Sequence, residues 1–213
     1  MPNNFGIIGN LPDQRDANSG VYKLNEINEL QSVSKWSNKN ALTRIETINY
    51  SAAATNQINF ESIEETTFRV HLLSIIRWKP VTNNVNMSMR MFLSGSGTAE
   101  SGATSYNFHQ LRGDDAGTFN NTNNTGTNWI SFGPNMSNSV YAQHTSNLWI
   151  FNAGDSTQRT SVAFDTNMKD DQNDRKFVRG IGACNVVDDV TGFQIYVSSG
   201  NIDTIQATLY GVQ

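Results

Sequence analysis

The sequence predicts an all-β protein: an antiparallel β-sandwich of jelly-roll type, preceded by an extended N-terminal arm and one short helix. Three observations predict it. From Gln57 onward, roughly nine or ten short segments alternate apolar and polar residues with period two. Clusters of Gly, Asn, Ser and Thr, the residues of turns, separate them. The closing stretch, Gly192 to Gln213, carries Phe193, Ile195 and Val197 on one face, then Ile205, Ala207 and Leu209 on another. Between them Ser199-Gly200-Asn201 is turn chemistry, so the stretch is expected to be a hairpin.

Composition agrees. The chain has 213 residues, of which 37% are hydrophobic and 16% charged. The charged share is well below the usual quarter, and neutral hydrogen-bonding residues take its place. Such a length suits one β-domain with a small appendage. The net charge of −4 argues against nucleic acid as a partner. The lone cysteine, Cys184, sits in an apolar strand-like run and is expected to be a buried thiol. No basic-then-apolar leader opens the sequence, and no apolar run reaches the length of a membrane span. The expectation is synthesis in a cytoplasm with no membrane insertion.

Taken in order, residues 1–50 are expected to form an arm and helix, and residues 51–213 the sandwich. Phe5, Ile7 and Ile8 make an apolar island between glycines. It needs cover, from its own domain or from a neighbouring chain. Ser19 to Trp36 is the one helical segment. Ser19 is the N-cap, and Val21, Leu24, Ile27 and Leu30 recur at helical spacing. A single four-turn amphipathic helix is marginal alone, so it packs on the sandwich or on copies of itself. Arg44 to Tyr50 is a weak strand, and Ser51 to Asn56 a small-residue boundary.

Thr66 to Trp78 is the longest strand, with Phe68, Val70, Leu72, Ile76 and Trp78 expected on one face and His71, Leu73 and Ile75 on the other. Apolar residues on both faces imply cover on both sides. Met87, Met89, Met91 and Leu93 form a stripe that reads as core filling. Two long polar connections follow, Gly95 to Ser105 and Arg112 to Asn128. Binding residues favour long loops on a rigid scaffold, so Thr98, Glu100, Arg112, Asp114, Phe119, Asn121 and Asn124 are candidate receptor-facing residues. Gly180 and Gly182 inside a strand point to a bulge or a close approach.

No chemical constellation stands out. His71, His109 and His144 lie on separate segments, with no partner at metal or nucleophile spacing. Asp165, Asp170, Asp171 and Asp174 cluster in a loop, but not at EF-hand spacing, and Lys169, Arg175 and Lys176 interrupt them. No catalytic residue, metal or cofactor is expected. The aromatics Phe119, Trp129, Tyr141 and Trp149 suit either a core or a sugar-stacking surface.

Three features together resemble a known class. The Phe5-Gly6-Ile7-Ile8-Gly9 island is followed by Ser-Gly-Val-Tyr-x-Leu-x-Glu at Ser19 to Glu26 and by Lys35-Trp36. The β-region is rich in Asn, Gly, Ser and Thr. The chain closes on Gly200 to Val212, with Leu209-Tyr210-Gly211. This resembles virion structural proteins of tailed bacteriophages, particularly appendage and tail-fibre-like proteins of marine phages. Two departures are Ser37, where that class usually has Pro after the Trp, and Thr204-Ile205, where it often has Gly. The resemblance implies a homotrimeric jelly-roll module with no catalytic residues. Phe5, Ile7, Ile8, Val21, Leu24, Ile27, Leu30 and Trp36 would be its attachment or trimerisation residues, contacting other virion proteins. The loops would face a host-surface glycan or protein. The alternatives are a capsid decoration protein and a carbohydrate-binding or carbohydrate-active sandwich.

Overall fold

The structure, a computed structural model, describes residues 42–212. Of the arm-and-helix region expected over residues 1–50, residues 1–41 lie outside it, and with them Phe5, Ile7, Ile8, Val21, Leu24, Ile27, Leu30 and Trp36. Twelve strands make up the described chain: β1 (Leu42–Tyr50), β2 (Gln57–Phe60), β3 (Val70–Pro80), β4 (Val85–Leu93), β5 (Tyr106–Asp114), β6 (Phe119–Thr127), β7 (Ile130–Met136), β8 (His144–Phe151), β9 (Arg159–Lys169), β10 (Arg175–Val187), β11 (Val190–Val197) and β12 (Ile202–Val212). All pairings are antiparallel, in an eight-stranded sheet β1-β12-β3-β8-β9-β10-β5-β6 and a four-stranded sheet β2-β11-β4-β7.

The order is that of a jelly roll with additions. Without the β9–β10 hairpin and the flanking β1 and β12, the sheets read β2-β11-β4-β7 and β3-β8-β5-β6. The eight strands then pair first with last, working inward to the β5–β6 hairpin, which is the double Greek key of that fold. The extra hairpin enters between β8 and β5 and widens the larger sheet.

The core lies between the sheets. Met87, Met89 and Met91 are fully buried there with Phe60, Leu73, Trp78, Phe132 and Phe193. The methionine stripe is thus core, and Cys184 is buried too, its thiol pushed up by burial. Trp78 donates its indole N–H to the Met136 sulfur at 2.8 Å.

Four expectations are corrected. The closing stretch is not a hairpin: β11 pairs with β2 and β4 in the small sheet, β12 with β1 and β3 in the large one. The Ser198–Asn201 turn therefore arches across the core. Phe193 and Ile195 descend from one sheet, Ile205 and Leu209 rise from the other, and all four are buried. Second, the strand of residues 42–50 belongs to the β-unit, paired along its length with β12, and the chain divides between Asn40 and Ala41.

Third, in β3 the pairing to β8 shifts register between Ile75 and Trp78, a bulge that leaves Ile76 and Arg77 both exposed and returns Trp78 to the face of His71, Leu73 and Ile75. Trp78 is therefore on the opposite face from the one its spacing predicts. Fourth, Arg112 to Asn128 is not a long loop. β5 runs through Asp114 and β6 begins at Phe119, leaving a short turn. The β6 sequence FNNTNNTGT lacks an apolar face because it is the edge of the large sheet, with no residue classed as buried.

Candidate functional site

The expected receptor-facing residues do not converge. Glu100 precedes β5, where its Oε1 accepts hydrogen bonds from the Gly102 N–H and the Ser105 hydroxyl, each at 2.7 Å. These bonds, the Ser105 hydroxyl foremost, hold its carboxyl below the usual range. Thr98 sits in the same connection, which Ser96 closes on itself by donating to the Thr98 carbonyl at 2.7 Å. Asp114 and Phe119 flank the turn at the far end of β5, about 27 Å away by the rise of a strand. The two connections thus face opposite ends of the sandwich.

At the Asp114 end an open cleft of 510 Å³ lies beside the start of β10. Its sides include Tyr141, 82% exposed, and Phe177. Phe177 meets Phe119 edge to face, ring centroids 6.1 Å apart. Gly113 lies beneath the two rings, and any side chain there would strike Phe177. Asp114 Oδ1 accepts the Thr118 N–H at 2.7 Å, closing the turn.

Two of the clustered aspartates, Asp170 and Asp165, are otherwise engaged. Asp170 accepts the Gln172 and Asp174 N–H groups at 3.0 and 2.9 Å and forms an ion pair with Lys176. That hydrogen bond to Asp170 raises the Lys176 amine above its ordinary range. Asp165 binds Arg179 Nη2 at 2.6 Å. Among the described residues no group of three or more His, Cys, Asp or Glu converges on a metal position.

A second feature is the outer face of the eight-stranded sheet. Across β8, β9, β10 and β5 the register aligns Trp149, Ala163, Ile181 and His109. Trp149 is 39% and Ile181 64% exposed, with Leu111 beside them. Ala163, Ala183 and Ser161 are small, which leaves a trough of 390 Å³ walled by Phe151 and Ile181.

A third feature lies on the inner side of the same sheet. Where β5 and β6 extend past the small sheet, a pocket of 170 Å³ opens against β7. Asn86, Gln110, Arg112, Asn124, Trp129 and Ser131 line it. With the Gln110 amide turned as its neighbours require, its nitrogen donates to the Ser131 carbonyl at 3.3 Å. Its oxygen accepts from Arg112 Nε at 3.1 Å and Nη2 at 2.5 Å. Burial lowers the Arg112 pKa from its ordinary value. The Ser131 hydroxyl is buried and has no hydrogen-bond partner among the described residues.

Of the expected residues, Arg112 and Asn124 therefore share this pocket and Arg112 and Asp114 the neighbouring one of 110 Å³, which Asp170 also lines, while Thr98, Glu100, Phe119 and Asn121 line neither. Gln110 and Ser131 were not singled out in the sequence, where they read as ordinary polar positions of two strands. His71 and His144 are buried, each Nε2 bonded to a backbone carbonyl, of Ile63 at 2.8 Å and of Ser137 at 2.9 Å. His109 is exposed on the outer face.

No family model, no curated protein and no solved structure matches the chain.

Proposed function

We propose that the chain is a non-catalytic virion structural protein, a homotrimeric tail-fibre or appendage component. In this reading the sandwich is the body of the trimer, and the segment before it attaches to other virion proteins. The observation that carries the proposal is the outer face of the large sheet. Its centre is apolar, built from Trp149, Ile181, Leu111 and the trough between Phe151 and Ile181. An apolar face of this kind on a soluble domain marks an interface. Its occupant is a further copy of this chain. At the apolar centre the charges are the Asp165–Arg179 ion pair, while Arg159, Lys169 and Arg175 stand on the same side towards the ends of β9 and β10, so the centre itself brings no unpaired charge into a contact between copies.

The test is mass in solution by light scattering, for the wild-type chain and for Ile181→Asp. The expected result is a trimer that the substitution breaks into folded monomers. A clean wild-type monomer at about 10 μM sinks the assignment. Copy number and position in purified particles then separate a fibre component from a capsid decoration protein.

A further inference from the structure

The pocket between β5, β6 and β7 has a chemistry that assembly of the trimer does not use. Its side chains combine one cation with neutral amides, hydroxyls and an indole. The Arg112 guanidinium supplies charge, the Ser131 hydroxyl is buried and unpaired among the described residues, and the Asn124 amide and the Trp129 indole lie on the same lining. No carboxylate lines it. Among the described residues Arg112 forms no ion pair. Gln110 instead holds the guanidinium through Nε and Nη2, fixing its plane.

A half-buried cation without a counter-ion and a buried hydroxyl without a partner are both costly, and an anion entering the pocket would satisfy both. A planar guanidinium held from one side presents its remaining N–H groups as a fork that suits a carboxylate. Trp129 adds a flat apolar surface of the kind that packs against a sugar ring. The pocket has room for about five or six waters, enough for a carboxylate and the part of a ring that bears it.

We infer that this pocket binds the carboxylate of an acidic sugar, with Arg112 and Ser131 on the carboxylate and Trp129 against the ring. The acidic residue nearest in sequence on that strand face, Asp114, lines a neighbouring cavity of 110 Å³. Its Oδ1 is occupied by the Thr118 N–H. The inference goes beyond the virion assignment. Free-sugar binding reports on the pocket alone, and the solution mass reports on the trimer alone.

The experiment is calorimetric titration of the full chain with glucuronate, glucose and acetate. It is repeated for Arg112→Gln and Ser131→Ala, each checked by its thermal unfolding midpoint. Glucuronate is expected to bind at least tenfold more tightly than acetate, and glucose not at all. Arg112→Gln should weaken glucuronate at least tenfold, and Ser131→Ala at least threefold. If Arg112→Gln does not fold, Ser131→Ala decides. The inference is overturned if folded wild-type chain binds no glucuronate at about 10 mM, if acetate binds equally well, or if the folded variants bind like wild type.

Discussion

Mild acid should loosen this sandwich through two histidines, and the size of the effect follows from their surroundings. His71 and His144 are fully buried. Burial is the largest influence on each and lowers both pKa values from 6.5. At His144 both ring nitrogens are in use: Nε2–H donates to the Ser137 carbonyl, and Nδ1 accepts the Lys169 N–H at 3.2 Å. A second proton on Nδ1 would face that N–H and break the bond. At His71 the Nδ1 has no partner among the described residues and the ring sits edge-on to Phe68 and Phe193, while Glu64 and Glu65 partly favour the charged form.

The sign follows from linkage. With the folded pKa below the unfolded one, the unfolded chain binds more protons between the two values, so stability rises with pH there and falls as pH drops below 6.5. A histidine kept neutral in the fold costs up to about 1.4 kcal/mol one pH unit below its unfolded pKa. Two cost up to about 3 kcal/mol at pH 5.5, a large part of the usual 5–15 kcal/mol. Glu100 and Asp155, whose carboxyls are held low by hydrogen bonds, act in the same direction, but only as pH falls below their ordinary values near 4.5 and 3.8. The two windows are therefore separate.

Urea unfolding followed by tryptophan fluorescence at pH 7.5, 6.5 and 5.5 measures the effect. His144→Gln should start lower at pH 7.5 but lose about half as much as wild type on the way to 5.5. Parallel losses in the two proteins would refute the reasoning, because proton uptake would then lie elsewhere.

Two further outcomes test the core and the aromatic pair. Trp78→Ala removes the largest buried side chain and the bond to Met136, and should cost about 3–5 kcal/mol in urea unfolding. Gly113→Val forces the Phe177 ring off β5, and should cost about 1–3 kcal/mol while raising the exposure of Phe119 and Phe177 to hydrogen–deuterium exchange of their strands.

Most strands were legible because half-covered strands write their burial into period-two spacing. The methionine stripe of β4 and the inward residues of β12 follow that spacing into the core. What failed has physical causes. A hairpin and an arch give the same alternation, since both need two amphipathic strands and a turn. Only long-range pairing, β11 to β4 and β12 to β3, decides between them. A bulge inverts parity without a local signal, as Ile76 and Arg77 do before Trp78. An edge strand with no buried residue, β6, has nothing to alternate. Gly180 and Gly182 did announce a close approach: a side chain at Gly182 would come within 2.9 Å of Ile130.

The candidate sites were less legible because each depends on strand order. Arg112 and Asn124 stood out for lying in a polar stretch, but Ser131 belongs to the opposite sheet and joins them only because β7 packs over β5 and β10. Both surface features trace to one mismatch. Eight strands span about 38 Å and four about 19 Å, so the small sheet cannot cover the large one. Of the four strands in excess, the β9–β10 hairpin between β8 and β5 supplies two and the flanking β1 and β12 the other two. The hairpin supplies Ala163, Ile181 and the Asp165–Arg179 pair to the outer face. It also sets β6 and the Gln110–Arg112 end of β5 at the margin of the smaller sheet, where their inward residues meet a pocket, while Tyr106 and Phe108 of β5 remain in the core. No residue of the hairpin lines that pocket, yet its insertion sets where β5 and β6 stand, while its own outward side chains build the apolar outer face.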